Sequence, residues 1–275
     1  MIKENKIDLL VIYLILLVFS LLMVLPFLWM ILTSVKEFTE AIRIPFKILP
    51  EKIILANYPK VFFKLPFLDF YINTFVMIAV RVLAAIIFSS MAAYAFARIK
   101  FPLKNVLFFI VLMQMMVPPQ IFIIPQYLIV AKLGWLNSIK ALIFPGLVSA
   151  FGTFLLRQFF MSVPRDLDEA ALIDGSNPWQ IYWNIMLPLV KTGCVALGIF
   201  TALFAWKDLM WPLIVNMSIE KMTLSAGLAS LQGQYLTDYP TLMAGAVIAI
   251  WPMLLIFVLF QRQFIEGIAI TGIKG

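Results

Sequence analysis

Residues 9–33 read LLVIYLILLVFSLLMVLPFLWMILT, 25 positions without a charged side chain. The hydrocarbon core of a bilayer is about 30 Å thick, and an uncharged apolar run of 18 or more residues is what crosses it as an α-helix. Lys3 and Lys6 precede the run as they would in a signal peptide. The run is too long for a signal's apolar core, however, and no small-residue cleavage site follows, so it reads as a retained first span. The same unbroken run excludes a transmembrane barrel, whose strands alternate apolar and polar residues.

Outward from this stretch the pattern repeats. The chain is 63% hydrophobic with a mean hydropathy of +1.01, well above ordinary soluble composition. Further apolar runs lie at 71–97, 106–131, 139–157, 192–215 and 241–260. The expected fold is all-α: a polytopic membrane bundle of six transmembrane helices forming one domain over residues 1–275. A proline-rich polar loop, Ser34 to Asp69, follows the first span and holds a short helix near 56–63. A second polar stretch, residues 162–191, separates spans four and five.

Several spans carry features beyond grease. Span two has small residues at Ala84, Ala85, Ser89, Ala92 and Ala93, a spacing that lets another helix approach closely. It also holds Arg81, and an arginine at a span centre costs about 2.5–3.5 kcal/mol, so it must face protein or water. Arg81 therefore either lines a cavity or has a structural explanation, as a paired or a snorkelling side chain. Span three is broken by Pro118-Pro119 and carries Gln114, Gln120 and Gln126. Prolines free backbone groups that neighbours or cavity water must satisfy, which marks span three as a wall of a pathway or as a simple kink. The candidate pathway residues are Asn73, Arg81, Gln114, Gln120 and Asn216, each equally suited to interhelical hydrogen bonding.

Orientation does not follow from the total charge. Alternating loops hold ten Lys and Arg on the N-terminal side and ten on the other, with Arg81 left over. The short loop Arg98 to Lys104 carries three positives and no acid, and short loops are the informative ones. It places both termini and residues 162–191 in the cytoplasm. The net charge of +7 suits topology and anionic lipid rather than nucleic acid.

The missing chemistry is informative. There is no histidine and one cysteine, Cys194, which removes the usual general base and any cysteine metal site. No GxxxxGK[ST] loop is present to bind ATP. No Asp or Glu sits mid-span, as a proton-coupled carrier needs. The chain is expected to be non-catalytic, without metal or cofactor of its own. A sodium-coupled or facilitative carrier acting alone stays open, because carbonyls and hydroxyls suffice for sodium.

The stretch SVPRDLDEAALIDGSNPWQIYWNIMLPLVK, residues 162–191, reads as two short helices meeting at a glycine. Pro164 suits a first helical turn, and Asp166, Asp168 and Glu169 lie where the helix macrodipole favours anions. Ala170 and Ala171 offer a flat side. Gly175 suits a left-handed cap. Asn177 suits the cap of a second helix that begins with Pro178. Trp179, Tyr182, Trp183 and Met186 form a stripe fit to pack back on the bundle, and Pro188 is expected to end that helix.

Within it Glu169-Ala170-Ala171, Gly175, Ile185 and Leu187-Pro188 fall at the spacing EAA-x3-G-x9-I-x-LP. This resembles the motif of the membrane subunits of bacterial ABC importers. Asn57-Tyr58, Asn73-Thr74, Ala92-Ala93-Tyr94-Ala95 with Arg98 and Phe101, Ile124-Pro125, Leu133-Gly134, Ile173-Asp174-Gly175 and the ending Gln261-Arg262, Gly267, Gly272 through Lys274-Gly275 resemble the carbohydrate-type, MalG-like branch. Departures are Lys207 in Trp206-Lys207-Asp208, where that branch often has Asn, and Lys191-Thr192-Gly193, where it often has proline. The resemblance implies a permease subunit in a bacterial inner membrane, for sugars or related solutes. It implies as partners a second permease subunit, two cytoplasmic ATPases that use ATP and Mg, and an extracytoplasmic solute-binding protein. It implies ATPase docking by Glu169, Ala170, Ala171, Asp174, Gly175, Ile185, Leu187 and Pro188.

Overall fold

The computed structural model describes residues 6–232 and 237–272. Lys3, Lys274 and Gly275 lie outside the described residues. Every regular element among those described is helical. Three helices are long and apolar enough to cross a membrane unaided: Leu9–Ser34, Phe67–Arg98 and Tyr239–Leu259. Three bent pairs meet the same test together, which gives six crossings if each pair is one span. The pairs are Lys104–Met116 with Pro119–Lys132, bent by 101°, Ile139–Gly146 with Ala150–Ser162, bent by 44°, and Pro178–Leu189 with Lys191–Trp206, bent by 74°.

The bends refine the sequence reading. Pro118-Pro119 does more than kink span three: the chain turns through a right angle there. Prolines at consecutive positions remove two amide donors and force the preceding residues out of helical geometry, so the helix stops at Met116 and restarts at Ile123. The fifth apolar run is also two pieces. Its helix ends at Trp206, and a short helix, Met210–Val215, follows with Pro212 inside it.

Contacts divide the chain into two compact units, Met1–Pro66 with Leu228–Leu255, and Phe67–Gly227 with Ile256–Gly275. In the first, the helix Lys6–Ser34 leaves its apolar residues exposed along its length. A helix apolar all round and unburied by its own chain belongs in lipid or against another protein. The short helix Asn57–Lys64 stands where the sequence places one. Asn57 holds it down: its Nδ2 donates to the carbonyls of Ser34 and Lys36, both at 2.9 Å. Lys60 Nζ reaches Asp238 Oδ2 at 2.7 Å, tying this helix to the start of the last one.

In the second unit the helix Phe67–Arg98 is the spine, packed against Ala150–Ser162 and Lys191–Trp206. Its small residues do the work the spacing suggests: Ala85, Ser89 and Ala93 are fully buried, and Ser89 Oγ donates to the carbonyl of Ser149 at 3.2 Å. Two buried clusters result. One gathers Tyr94, Leu156, Phe160, Tyr182, Met186 and Leu197. The other gathers Met77, Val130, Leu142, Ala205, Trp211 and Val215.

Candidate functional site: a hinged loop and an amide-lined cavity

The loop is built from cap chemistry. The helix Asp166–Ile173 starts with three acids in its first turn, where the helix dipole favours them. Arg165 occupies the cap, so Pro164 precedes the helix rather than entering its first turn. At the other end Ser176 N donates to Ala171 O at 2.9 Å and Gly175 N to Leu172 O at 3.1 Å. This 6→1 and 5→2 pair is a Schellman motif, and it requires the left-handed residue that Gly175 supplies, at φ +81°. Two residues on, Asn177 Oδ1 accepts from Gln180 N at 2.9 Å, and Gln180 Oε1 accepts from Asn177 N at 2.8 Å. This reciprocal capping box opens the second helix at Pro178. That helix passes through a π-helical turn, Tyr182–Met186. Pro188 does not end it; the chain carries on to Leu189 and breaks at Val190.

The two faces of the loop differ. Inward, Ala171, Ile181, Tyr182 and Met186 are buried in the chain's own core, and Tyr182 Oη and Ser90 Oγ share a hydrogen bond of 2.7 Å. Outward, Leu172 and Ile173 are exposed, Ile173 at 86%. Glu169, Ala170, Asp174 and Gly175 are exposed beside them, Ile185 and Leu187 are half-buried, and Pro188 is exposed. The expected flat alanine side is therefore split, because adjacent helical residues point about 100° apart. Ala170 faces out and Ala171 faces in. The aromatic stripe divides likewise: Tyr182 and Met186 are buried, while Trp179 and Trp183 are exposed.

One residue that the sequence marks only as a topology signal and as part of the family resemblance fixes the loop to the bundle. Arg98, the last residue of the spine helix, pairs through its NH1 with Asp168 Oδ2 at 3.0 Å. Its NH2 donates to the carbonyls of Phe160 and Val163 at the end of the neighbouring helix. Burial pushes the Asp168 carboxyl above its ordinary range, with Arg98 and Arg165 pulling back against it. A 70-residue separation hides such a pair from any local pattern.

The five candidate pathway residues part company. Asn73 Nδ2 donates to the carbonyls of Glu220 and Met222 at 2.8 and 3.0 Å. Asn216 is buried and donates to the carbonyl of Lys221. Arg81 is 6% exposed. It pairs through NH1 with Asp208 Oδ2 at 3.0 Å and gives its remaining donors to the carbonyl of Leu142. A Cβ at Gly146 would fall on the Arg81 side chain, so only glycine lets the guanidinium lie there. Of the two sequence readings for Arg81, the structural pair is what forms. Gln114 and Gln120 instead line a cavity of about 320 Å³ at the proline break, together with Gln126, Asp208, Phe122 and Trp211. Among the described residues no cluster of three or more His, Cys, Asp or Glu could hold a metal ion.

Comparison with known proteins gives the family and the fold. The family model described as the binding-protein-dependent transport system inner membrane component matches residues 85–269. The arabinooligosaccharides transport system permease protein AraQ of Halalkalibacterium halodurans is 35% identical over 92% of this chain and 91% of its own length. The sn-glycerol-3-phosphate transport system permease protein UgpE of Brucella suis is 30% identical over 98% of this chain and 99% of its own. The fold matches, with a TM-score of 0.81 and 23% identity, a chain from a crystal structure of a bacterial ABC transporter involved in the import of the acidic polysaccharide alginate. That match covers 95% of this chain and 98% of the other.

Proposed function

The chain belongs to the family of binding-protein-dependent transport system inner membrane components, and from that premise we propose that the hinged loop Arg165–Pro188 is where it receives force from cytoplasmic ATPases. The chain is a permease subunit of an ABC importer. It contributes half of the pathway, and a second, related permease contributes the rest. Its solutes are sugars or kindred polyhydroxylated compounds, delivered by an extracytoplasmic binding protein. It is not itself catalytic: ATP and Mg are bound and used by the ATPase subunits. Both termini lie in the cytoplasm with the loop.

The observation that carries this reading is the loop's asymmetry. Its inward face is locked by burial and by Arg98, while its outward tip leaves Leu172 and Ile173 exposed. A short helix held rigidly at its base and apolar at its tip is the helix-in-groove mode of recognition. A push on the tip reaches Arg98 directly, and through it the spine helix. Glu169 and Asp174 flank the tip and supply charge for orientation.

The test is co-purification of the chain from membranes that contain its neighbouring gene products. The account expects two kinds of partner, a second permease and an ATPase. Ile173→Asp, at a site with no internal packing to lose, is expected to release the ATPase while the chain stays folded. A chain that imports solute alone, driven by a sodium gradient or downhill, would establish the carrier reading instead.

A further inference from the structure

The crevice where the hinged loop meets the end of the spine helix has two adjoining parts. One, of about 430 Å³, is apolar and lined by Met91, Tyr94, Ile99, Trp179 and Tyr182. The other, of about 320 Å³, is charged and lined by Arg98, Lys100, Arg165, Asp168 and Glu169. Tyr94, Ile99 and Pro178 line both parts, which makes them continuous. The charge does not balance. Arg98 and Asp168 neutralise each other at 3.0 Å, which leaves Lys100 and Arg165 against Glu169. Two further cations stand behind them. Lys104 lines a neighbouring cavity with Lys100, and Arg157 and Arg165 lie close enough to act on its charge. Among the described residues none of Lys100, Lys104, Arg157 and Arg165 forms an ion pair. Membrane topology accounts for positive charge in a short loop, but not for a cavity beside it. In the wall, Arg98 Nε and Asp168 Oδ1 are buried without a hydrogen-bond partner among the described residues, a donor and an acceptor whose desolvation is not offset.

We infer that this crevice is a binding site for one anionic phospholipid, with a hydroxylated headgroup of the phosphatidylglycerol kind. The phosphate lies with Lys100 and Arg165, the headgroup hydroxyls donate to the carboxylates of Asp168 and Glu169, and the top of an acyl chain covers Tyr94, Ile99 and Trp179. Guanidinium and ammonium groups make strong charge-assisted hydrogen bonds to phosphate oxygens. Basic pockets between helices at the cytoplasmic face suit lipid headgroups. The apolar part decides between a lipid and a free phosphate compound: a soluble anion would fill the charged part and leave Ile99 and Trp179 exposed, as they are in the chain alone. The cations decide between lipids, because a choline headgroup would bring a fifth positive charge to the four unpaired ones. Each part has the volume of a small-molecule cleft. A lipid here touches both the loop and the spine helix, so the composition of the membrane reaches the joint between them. The inference rests on the loop lying at the cytoplasmic membrane edge, as proposed above, and not on the ATPase contact.

The test uses the whole importer, with its partner permease and ATPases, in bilayer discs of phosphatidylcholine. The probes are phosphatidylglycerol and phosphatidylcholine, each carrying a diazirine near the top of one acyl chain, and photo-adducts are located by peptide mass spectrometry. The expected result is labelling around Met91, Ile99 and Trp179 by the phosphatidylglycerol probe, about fivefold above the phosphatidylcholine probe, the scale of one basic residue at an anionic surface. Lys100→Gln, at an exposed position with no hydrogen bond among the described residues, should remove that excess, and Arg165→Gln should lower it. Lys132→Gln, an exposed cation at the far end of span three, should leave it unchanged. An excess of free glycerol phosphate should not displace the probe. Displacement by glycerol phosphate would mark a site for soluble anions and overturn the lipid. Equal labelling by the two probes, or an excess that survives Lys100→Gln combined with Arg165→Gln, would overturn the site. The same labelling in a chain that retains no ATPase would support the lipid site while the docking reading fell.

Discussion

Two arginines of the spine helix, Arg81 and Arg98, each pair with an aspartate at 3.0 Å, and the two pairs are built for different ends. Arg81 commits its donors to Asp208 and Leu142 and has no buried polar atom left without a partner. Arg98 leaves its Nε, and Asp168 its Oδ1, buried without a hydrogen-bond partner among the described residues. In the first pair every guanidinium nitrogen has a partner, and Asp208 lines the cavity. The second leaves two buried polar atoms unpartnered among the described residues, at the base of a loop whose Ile173 is exposed. A buried pair costs desolvation whether or not it moves.

The contrast can be broken at each pair. Arg81→Leu leaves Asp208 without its partner, and the expected loss is about 3–5 kcal/mol of stability, the usual cost of orphaning half a buried pair. Thermal unfolding of the detergent-solubilised chain checks it. Arg98→Ala should cost less, about 2–3 kcal/mol, because Arg165 also acts on the Asp168 carboxyl. Its larger effect should be on coupling: ATP hydrolysis continues in the assembled complex while uptake per ATP falls. Equal stability losses and unchanged coupling would erase the distinction between the pairs.

The hinge sharpens it further. Gly175→Val forces a β-branched residue into the left-handed region, at about 1–3 kcal/mol of local strain. Nothing lies within 4 Å of a Cβ there, so the cost is conformational and not steric. Gly175→Asn, which tolerates that region, should keep most of the uptake that Gly175→Val loses.

The smallest effect belongs to a third pair, Lys60 with Asp238. Burial opposes ionisation of Asp238, but hydrogen bonds from Lys60 and Thr241 outweigh it and bring the carboxyl down to about 2. A depressed carboxylate stabilises the fold fully above its ordinary value, near 3.8, and that contribution is lost as pH falls through about 2. Asp238→Asn should therefore lower the melting temperature slightly and evenly from pH 7 to pH 5, with the gap to wild type closing in stronger acid.

How much of this the sequence contains depends on the range of the interaction. The apolar runs, the short helix near Asn57, the left-handed Gly175 and the Asn177 cap are local, and local chemistry is readable in one dimension. Pro118-Pro119 announces a break, but proline sets one backbone angle and not the path after it, so the right-angle turn is invisible. The same limit applies to the glutamines: Gln114, Gln120 and Gln126 share a cavity only because of that turn. Arg81 with Asp208 and Arg98 with Asp168 join residues 127 and 70 positions apart. Ala170 and Ala171 look alike in the motif, and only the packing of the bundle turns one inward.

The proposed contact between the loop's exposed tip and an ATPase can be trapped. The direct measurement is cross-linking from Ile173→Cys in a Cys194→Ala background, in inverted membrane vesicles holding the whole importer. The expected result, with a cysteine introduced on the ATPase surface and copper-phenanthroline as oxidant, is a disulfide to the ATPase subunit whose yield changes on adding ATP, with none from Met217→Cys. Efficient cross-linking from Met217→Cys and none from Ile173→Cys would contradict it.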